Sequence, residues 1–278
     1  MLERRIYKYA CLQKRGHSYF VPDTFEFARA DRPIGRFIIP GVTPDNDPGL
    51  TFAEAWERTD VAWIPPSQTI ATRIFNFKSM SSARGNVVDI ARNRVLIFES
   101  ILEYHLANVL MARREIINIE DQPAALEYEF DGLQKHTLDF LSDDWHARRV
   151  GYNVKPSDFL EKDHTMARVC AMKKRHVPGR FNNILVVTEK QIHRDKSLNA
   201  IEINEARKDR CQAECDRILD QLRGIGEPIK LWKLQNRLAD DGGVWNAVLC
   251  LHFDGLVTIR NPAIRFTDEA WVQASVRH

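Results

Sequence analysis

Long apolar runs are missing from this 278-residue chain, and no stretch approaches the ~20 consecutive apolar residues of a membrane-spanning helix. The opening residues, Met1-Leu2-Glu3-Arg4-Arg5 with Lys8, Lys14 and Arg15 close behind, lack the apolar segment of a secretory signal. Cysteine is scarce and scattered. Cys11, Cys170, Cys211, Cys215 and Cys250 are odd in number, in a chain large enough to hold a core without staples. That excludes a disulfide framework and predicts reduced thiols in a cytosolic protein without membrane contact. Cys211 and Cys215 have no second pair at zinc-ribbon spacing, and His252 is far away in sequence. Gly224-Ile-Gly226 lacks the strand before and helix after that a dinucleotide loop requires, so it reads as a turn. Charge of one sign is not in excess either: 40 Lys and Arg against 38 Asp and Glu give a net charge of +2. Any acidic partner must therefore be met by local clusters rather than by the chain as a whole.

Hydrophobic residues at 44% and charged residues at 28% are ordinary globular proportions, sufficient for one large or two smaller cores. Residues 1–66 are Pro-rich and aperiodic (Pro22, Pro33, Pro40, Pro44, Pro48, Pro65, Pro66) and read as an extended arm or loop-dominated subdomain. Residues 67–196 alternate strand and helix patterns and predict an α/β domain, a mixed sheet flanked by helices. Ile70–Lys78 and Val87–Ile90 read as strands about a turn at Ser81–Asn86. Val95, Ile97, Phe98, Ile101, Leu102, His105, Leu106, Val109 and Leu110 recur at helical spacing and predict one helix. Ala125–Phe130, Lys135–Leu141 and Arg149–Lys155 are predicted strands, the first two joined by an Asp131-Gly132 hairpin turn and the third halted by Pro156. Phe159–Arg175 reads as helix and Phe181–Thr188 as a buried strand. Residues 197–278 follow as a long helix over 199–223, a second over 228–239, a third over 244–253 and a hairpin through 255–266. That is the pattern of a C-terminal winged-helix domain.

Chemistry concentrates at Glu103 on the predicted helix, Asp139 on the second of those strands and Lys155 on the third. Hydrolysing a phosphodiester requires charge stabilisation at phosphorus and an activated water, which divalent ions held by carboxylates supply. One Glu, one Asp and a backbone carbonyl, here that of Val154, are hard oxygen donors suited to magnesium, with manganese as a substitute. Strand alternation puts Asn153 and Lys155 on one face with Val154 pointing into the core, and Lys155 is suited to orient water or meet phosphate charge. Glu99, one helical turn before Glu103, is a supporting group. Basic clusters flank these segments and are the candidate DNA contacts: Arg84, Arg92 and Arg94; Arg148 and Arg149; Lys173, Lys174 and Arg175. A surface ion pair at a sheet edge is the plain alternative for Asp139 and Lys155.

A helix Glu followed by Asp and Lys on a hairpin is similar to the restriction-endonuclease-like nucleases. Four words sharpen the likeness: Phe98-Glu-Ser-Ile-Leu-Glu103, Ile119-Glu-Asp-Gln-Pro123, Thr137-Leu-Asp-Phe-Leu141 and Asn153-Val-Lys-Pro156. In order and spacing they resemble TnsA, the endonuclease subunit of heteromeric bacterial cut-and-paste transposases, over roughly residues 70–195. The resemblance implies Glu103 and Asp139 as metal ligands, Lys155 as the catalytic lysine and Gln122 as support in a Gln-Pro-like turn. It also implies cleavage of the 5′ strand at transposon ends together with a TnsB-type transposase, contact with a TnsC-type AAA+ ATPase through the C-terminal domain, and a place in the bacterial cytoplasm at the nucleoid. Where the family carries Gln or Glu, this chain has Asn153, one methylene shorter than Gln, which favours a water-bridged contact over direct ligation. Two other readings stay open: a stand-alone restriction or phage-type nuclease of the same fold, and a catalytically weak adaptor that binds DNA and recruits the ATPase.

Overall fold

A computed structural model describes residues 36–38, 62–73, 83–238 and 243–275. Most of the Pro-rich segment, Ser81–Ser82 and most of the 70–78 strand lie outside the described residues. Within the first 66, strands β1 (Arg36–Ile38) and β2 (Ala62–Ile64) pair antiparallel. The described chain is mixed α/β with six helices, none of them long and apolar enough to cross a membrane.

An antiparallel ribbon opens the α/β region: β3 (Gly85–Asp89) against β4 (Arg94–Phe98). The apolar positions 95–98 are thus strand, and the helix predicted across them begins later, as α1 (Ile101–Met111). Ser100 stops the strand and starts the helix. Its extended backbone and side-chain oxygen make it the N-cap, accepting the Glu103 amide at 3.2 Å.

The central sheet has four strands in the order β10-β9-β8-β5, built from β5 (Ile116–Asp121), β8 (Phe140–Asp144), β9 (Arg149–Val154) and β10 (Asn183–Val187). The first three form an antiparallel meander, while β10 runs parallel to β9 after a crossover through α2 (Thr165–His176). The segment Lys135–Leu141, predicted as one strand, divides in two. β7 (Leu133–His136) pairs with β6 (Leu126–Glu129) in a separate hairpin, and the chain then bends at Thr137–Asp139 to enter the sheet as β8. Leu138 is the cause of the bend. It is fully buried against Gly151, where even a Cβ would lie 2.4 Å from the Leu138 Cδ1. One sheet face packs Ile119, Phe140, Tyr152 and Val154 on α1; the other packs Leu138, Leu141 and Ile184 beneath Val169 and Met172 of α2.

The long helix predicted over 199–223 breaks at Asp209–Cys211 into α3 (Arg194–Lys208) and α4 (Gln212–Ile225). The short strand β11 (Ile229–Lys230), α5 (Leu231–Leu238), α6 (Gly243–Phe253), β12 (Val257–Ile259) and β13 (Trp271–Ala274) complete the chain. β12 pairs with β13, not with 264–266 as predicted, in a three-stranded sheet of order β11-β13-β12.

α3 belongs to both cores, so a boundary at 196/197 cuts a helix rather than a linker. Ala200 joins the core under α1, whereas Ile203 and Ala206 join the core of α4–α6. Asn204, buried, donates from its amide to the Asn108 carbonyl at 3.0 Å and to Asn108 Oδ1 at 3.2 Å, and Arg207 reaches the Met111 carbonyl at 2.8 Å. Buried acceptors stripped of a donor lose their compensation for desolvation. Asn204→Ala is therefore expected to lower stability by roughly 1–3 kcal/mol in chemical denaturation; a change within experimental error would mean that this contact does not join the units.

Candidate active site

The end of the central sheet nearest the α1 N-terminus gathers the carboxylates. Glu103, 6% exposed, folds back on its own helix start. Its Oε2 accepts the Glu99 amide at 2.7 Å and its Oε1 accepts the Ser100 hydroxyl at 2.8 Å. Ser100-Ile-Leu-Glu103 is a capping-box sequence, so helix initiation fixes the carboxylate before any ligand does. Glu99 precedes the helix instead of sharing its face. It lies 3.3 Å from Arg73 and 3.5 Å from Arg84.

Asp139 stands at the bend before β8 rather than within a strand. Its amide donates to the Tyr152 carbonyl at 2.9 Å, and its Oδ2 accepts the Val154 amide at 2.6 Å. Gln122 bridges from β5: its amide donates to the Asp139 carbonyl at 3.0 Å, while its own carbonyl accepts the Thr72 amide and hydroxyl, each at 3.0 Å. Gln122 therefore acts through its backbone, at a left-handed φ of 43°. Asp121 beside it is fully buried and accepts the Thr69 hydroxyl at 2.6 Å and the Ile97 amide at 2.7 Å. Together these bonds tie the 69–72 segment, β4 and β5 to the floor of the site.

Crowding perturbs both central carboxyls. Burial above all, then the charge of Glu103, raises Asp139 to about 8, against the lowering effect of the Val154 amide. Burial likewise raises Glu103, against the lowering effect of the bonds from the Glu99 amide and the Ser100 hydroxyl, with the charge of Glu99 adding to it. The site thus asks for positive charge. Among the described residues no three His, Cys, Asp or Glu converge as a complete ligand set. Glu103, Asp139 and the adjoining Val154 carbonyl fit a magnesium ion that keeps waters or takes substrate oxygens, since magnesium rarely needs an all-protein cage. Asp139 has an oxygen, Oδ1, with no hydrogen bond among the described residues, and each Glu103 oxygen keeps a lone pair beyond the bond it accepts.

On β9 the alternation holds. Val154 enters the core, Asn153 is buried on the opposite face, and Lys155 extends past the strand end to bond Asp163 at 2.6 Å. Asn153 turns to the ring of His136, which terminates β7. Burial first, then the charges of Arg168 and Lys155, push the His136 imidazole below its usual range. His136, Asp163 and Arg168 carried no motif of their own in the sequence. His136 lies three residues before Asp139, and the other two come together only through the turn that follows β9.

The predicted basic clusters separate. Arg92 pairs with Asp89 at 2.5 Å, Arg94 holds the Ile119 carbonyl, Arg148 pairs with Asp144 at 2.7 Å and Arg149 grips Asp143 at 2.7 and 3.0 Å. Arg92 thus closes the β3–β4 turn, Arg94 ties β4 to β5, and Arg148 and Arg149 close the β8–β9 turn. In the last turn of α2, Lys174 and Arg175 are exposed, Lys173 is half-buried, and Arg175 comes within 3.7 Å of Glu127. A separate cleft of about 350 Å³ between α1, α3 and the segment before β13 contains none of the predicted site residues. No family model matches the chain, and no match to a curated protein was found. The site must therefore be judged on its chemistry.

That chemistry has a pH signature. An unfolded Asp ionises near pH ~4, whereas Asp139 keeps its proton up to about 8. Between those values the folded state binds the extra proton, so this group's contribution to stability falls as pH rises. Metal-free protein is expected to lose melting temperature between pH 5 and 8 more steeply than Asp139→Asn. Magnesium at pH 8 should raise the melting temperature of wild type alone. Parallel curves for the two proteins would show that Asp139 is not perturbed.

Proposed function

We propose that the protein is a metal-dependent DNA endonuclease that hydrolyses phosphodiester bonds with Glu103, Asp139 and Lys155. The reading extends to its setting: the TnsA-like subunit of a transposition complex, cutting the 5′ strand at transposon ends beside a TnsB-type transposase. One observation carries it. Burial, together with the charges of Glu103 and Glu99, raises Asp139 to about 8 at one end of the four-stranded sheet, and Lys155 lies just past the end of the adjoining strand. Buried carboxyls that resist ionisation, beside a lysine, suit the binding of a divalent ion and a phosphate together.

The remaining architecture supports the reading. A helix Glu, an Asp just ahead of β8 and a Lys just past β9 lie close to the helix-and-hairpin pattern of the restriction-endonuclease-like nucleases and support that reading. The C-terminal order of helix, strand, two helices and two strands, in one three-stranded sheet, supports a winged-helix domain suited to DNA or to a TnsC-type ATPase.

Glu103, the Asp139 Oδ1 and the Val154 carbonyl would hold the ion. When bound, it supplies charge to the phosphoryl oxygens and makes water a competent nucleophile. The chain's own residues do the rest. The Ser100 cap and the Glu99 amide orient Glu103, the Val154 amide fixes Asp139, and Lys155 neutralises charge growing on phosphate. Asn153, turned to His136, supports the strand end.

The test is strand-resolved cleavage of a labelled transposon end by the full chain with magnesium and an integrase-type partner. Wild type should cut the 5′ strand, and Asp139→Ala and Lys155→Ala should each lose at least roughly 100-fold, the scale of removing a preorganised charge-stabilising group. Equal cutting by wild type and Asp139→Ala would discard the catalytic assignment in favour of the adaptor reading. Cutting without any partner would favour the stand-alone nuclease.

A further inference from the structure

The lysine assigned to phosphate is already engaged. Lys155 Nζ bonds Asp163 Oδ2 at 2.6 Å, with both side chains more than a third exposed. Pro156 ends β9, a 3-10 turn at Ser157–Phe159 follows, and the bonds of the Asp163 amide to the Phe159 carbonyl and of the Thr165 amide to the Leu160 carbonyl fold the chain back. That turn delivers Asp163 onto Lys155. Arg168, on the first turns of α2, lays its guanidinium 5.8 Å from the Phe130 ring, on the side of the β6–β7 hairpin that ends in His136. Lys155 and Arg168 act electrostatically on both Asp163 and His136, so these four groups form one cluster. Within it, His136 Nε2 is buried and has no hydrogen-bond partner among the described residues.

Building on the nuclease reading, we propose that the Asp163 carboxylate stands in for a DNA phosphate in the free protein, occupying a cationic niche of Lys155 and Arg168 beside His136, and that the substrate backbone displaces it. The niche has two components of a phosphate subsite, a point charge and a planar fork. Asp163 satisfies that charge in the absence of DNA. The Lys155 bond holds its carboxyl below the usual range, so it remains an anion across the working pH. An ion pair this exposed contributes little to stability and yields readily to a stronger, multivalent anion. The charge of Lys155 also acts on Asp139, so the niche and the carboxylate site share this lysine.

Fluorescence anisotropy of a labelled DNA duplex with the full chain in EDTA tests binding apart from cleavage. Asp163→Asn should tighten binding by roughly three- to fivefold, the scale of an exposed ion pair. Glu161→Gln, an equal charge change on the same turn, should move it less. Lys155→Ala should abolish the gain from Asp163→Asn, and Arg168→Ala should weaken binding and lower the salt slope by about one. If Asp163→Asn matches Glu161→Gln, or binds more weakly than wild type, the stand-in role is overturned. Thermal melts establish that the variants fold. The nuclease reading is decided separately, by Asp139-dependent cleavage in magnesium. Cleavage without an Asp163 effect keeps the nuclease and discards the stand-in; an Asp163 effect without cleavage does the reverse.

Discussion

The bond from the Val154 amide to the Asp139 carboxylate is the constraint on which the site depends. At the end of the β8–β9 ladder a side-chain oxygen takes the place of a strand carbonyl, and the chain is free to bend away at Leu138. The bend is held from the opposite face, where Leu138 fills the space left by the missing side chain of Gly151. Two consecutive residues are thus pinned, Asp139 by a hydrogen bond and Leu138 by close packing on the opposite face. The position of Asp139 against Val154 and Lys155 is accordingly set by the core, not by a loop. Packed cores deform little, so a carboxylate mounted in this way keeps its place while ligands come and go.

The second carboxylate is anchored by different means. Glu103 is held by the cap of α1, and α1 lies against α3, whose far half is built into the C-terminal core. Two bonds to Asn108 and one to the Met111 carbonyl lock the helices at mid-length and end. α1 also packs on the sheet, so Glu103 and Asp139 are carried by one continuous core that α3 extends into the C-terminal unit.

Much of this was legible in the sequence, though unevenly. β9, β10 and the helix that carries Glu103 follow from period and turn signals, because buried apolar faces impose those periods. The helix start was misplaced because Val95, Ile97 and Phe98 satisfy a helical spacing as well as a strand's; the Ser100-x-x-Glu103 capping box marks the true boundary. The strand through Asp139 was drawn too long because alternation continues across Thr137–Leu138, and only the approach of Leu138 to Gly151 breaks it. The three residues around Lys155 were invisible for a simpler reason. His136, Asp163 and Arg168 come from a hairpin, a turn and a helix, and local pattern carries no signal for contacts made across such separations.

Charge is the last feature that composition conceals. A net +2 conveys a nearly neutral molecule, yet charge is placed unevenly within it. Glu99, Glu103 and Asp139 gather where α1 meets the sheet, with Arg73 and Arg84 beside Glu99, and Lys155 with its partner Asp163 lies where β9 runs out toward α2. Arg92, Arg94, Arg148 and Arg149 spend their charge on acceptors within the fold, and Lys155 and Arg175 meet Asp163 and Glu127. Charge placement rather than net charge therefore sets the local field, since paired side chains cancel one another at close range while the crowded Glu103 and Asp139 do not.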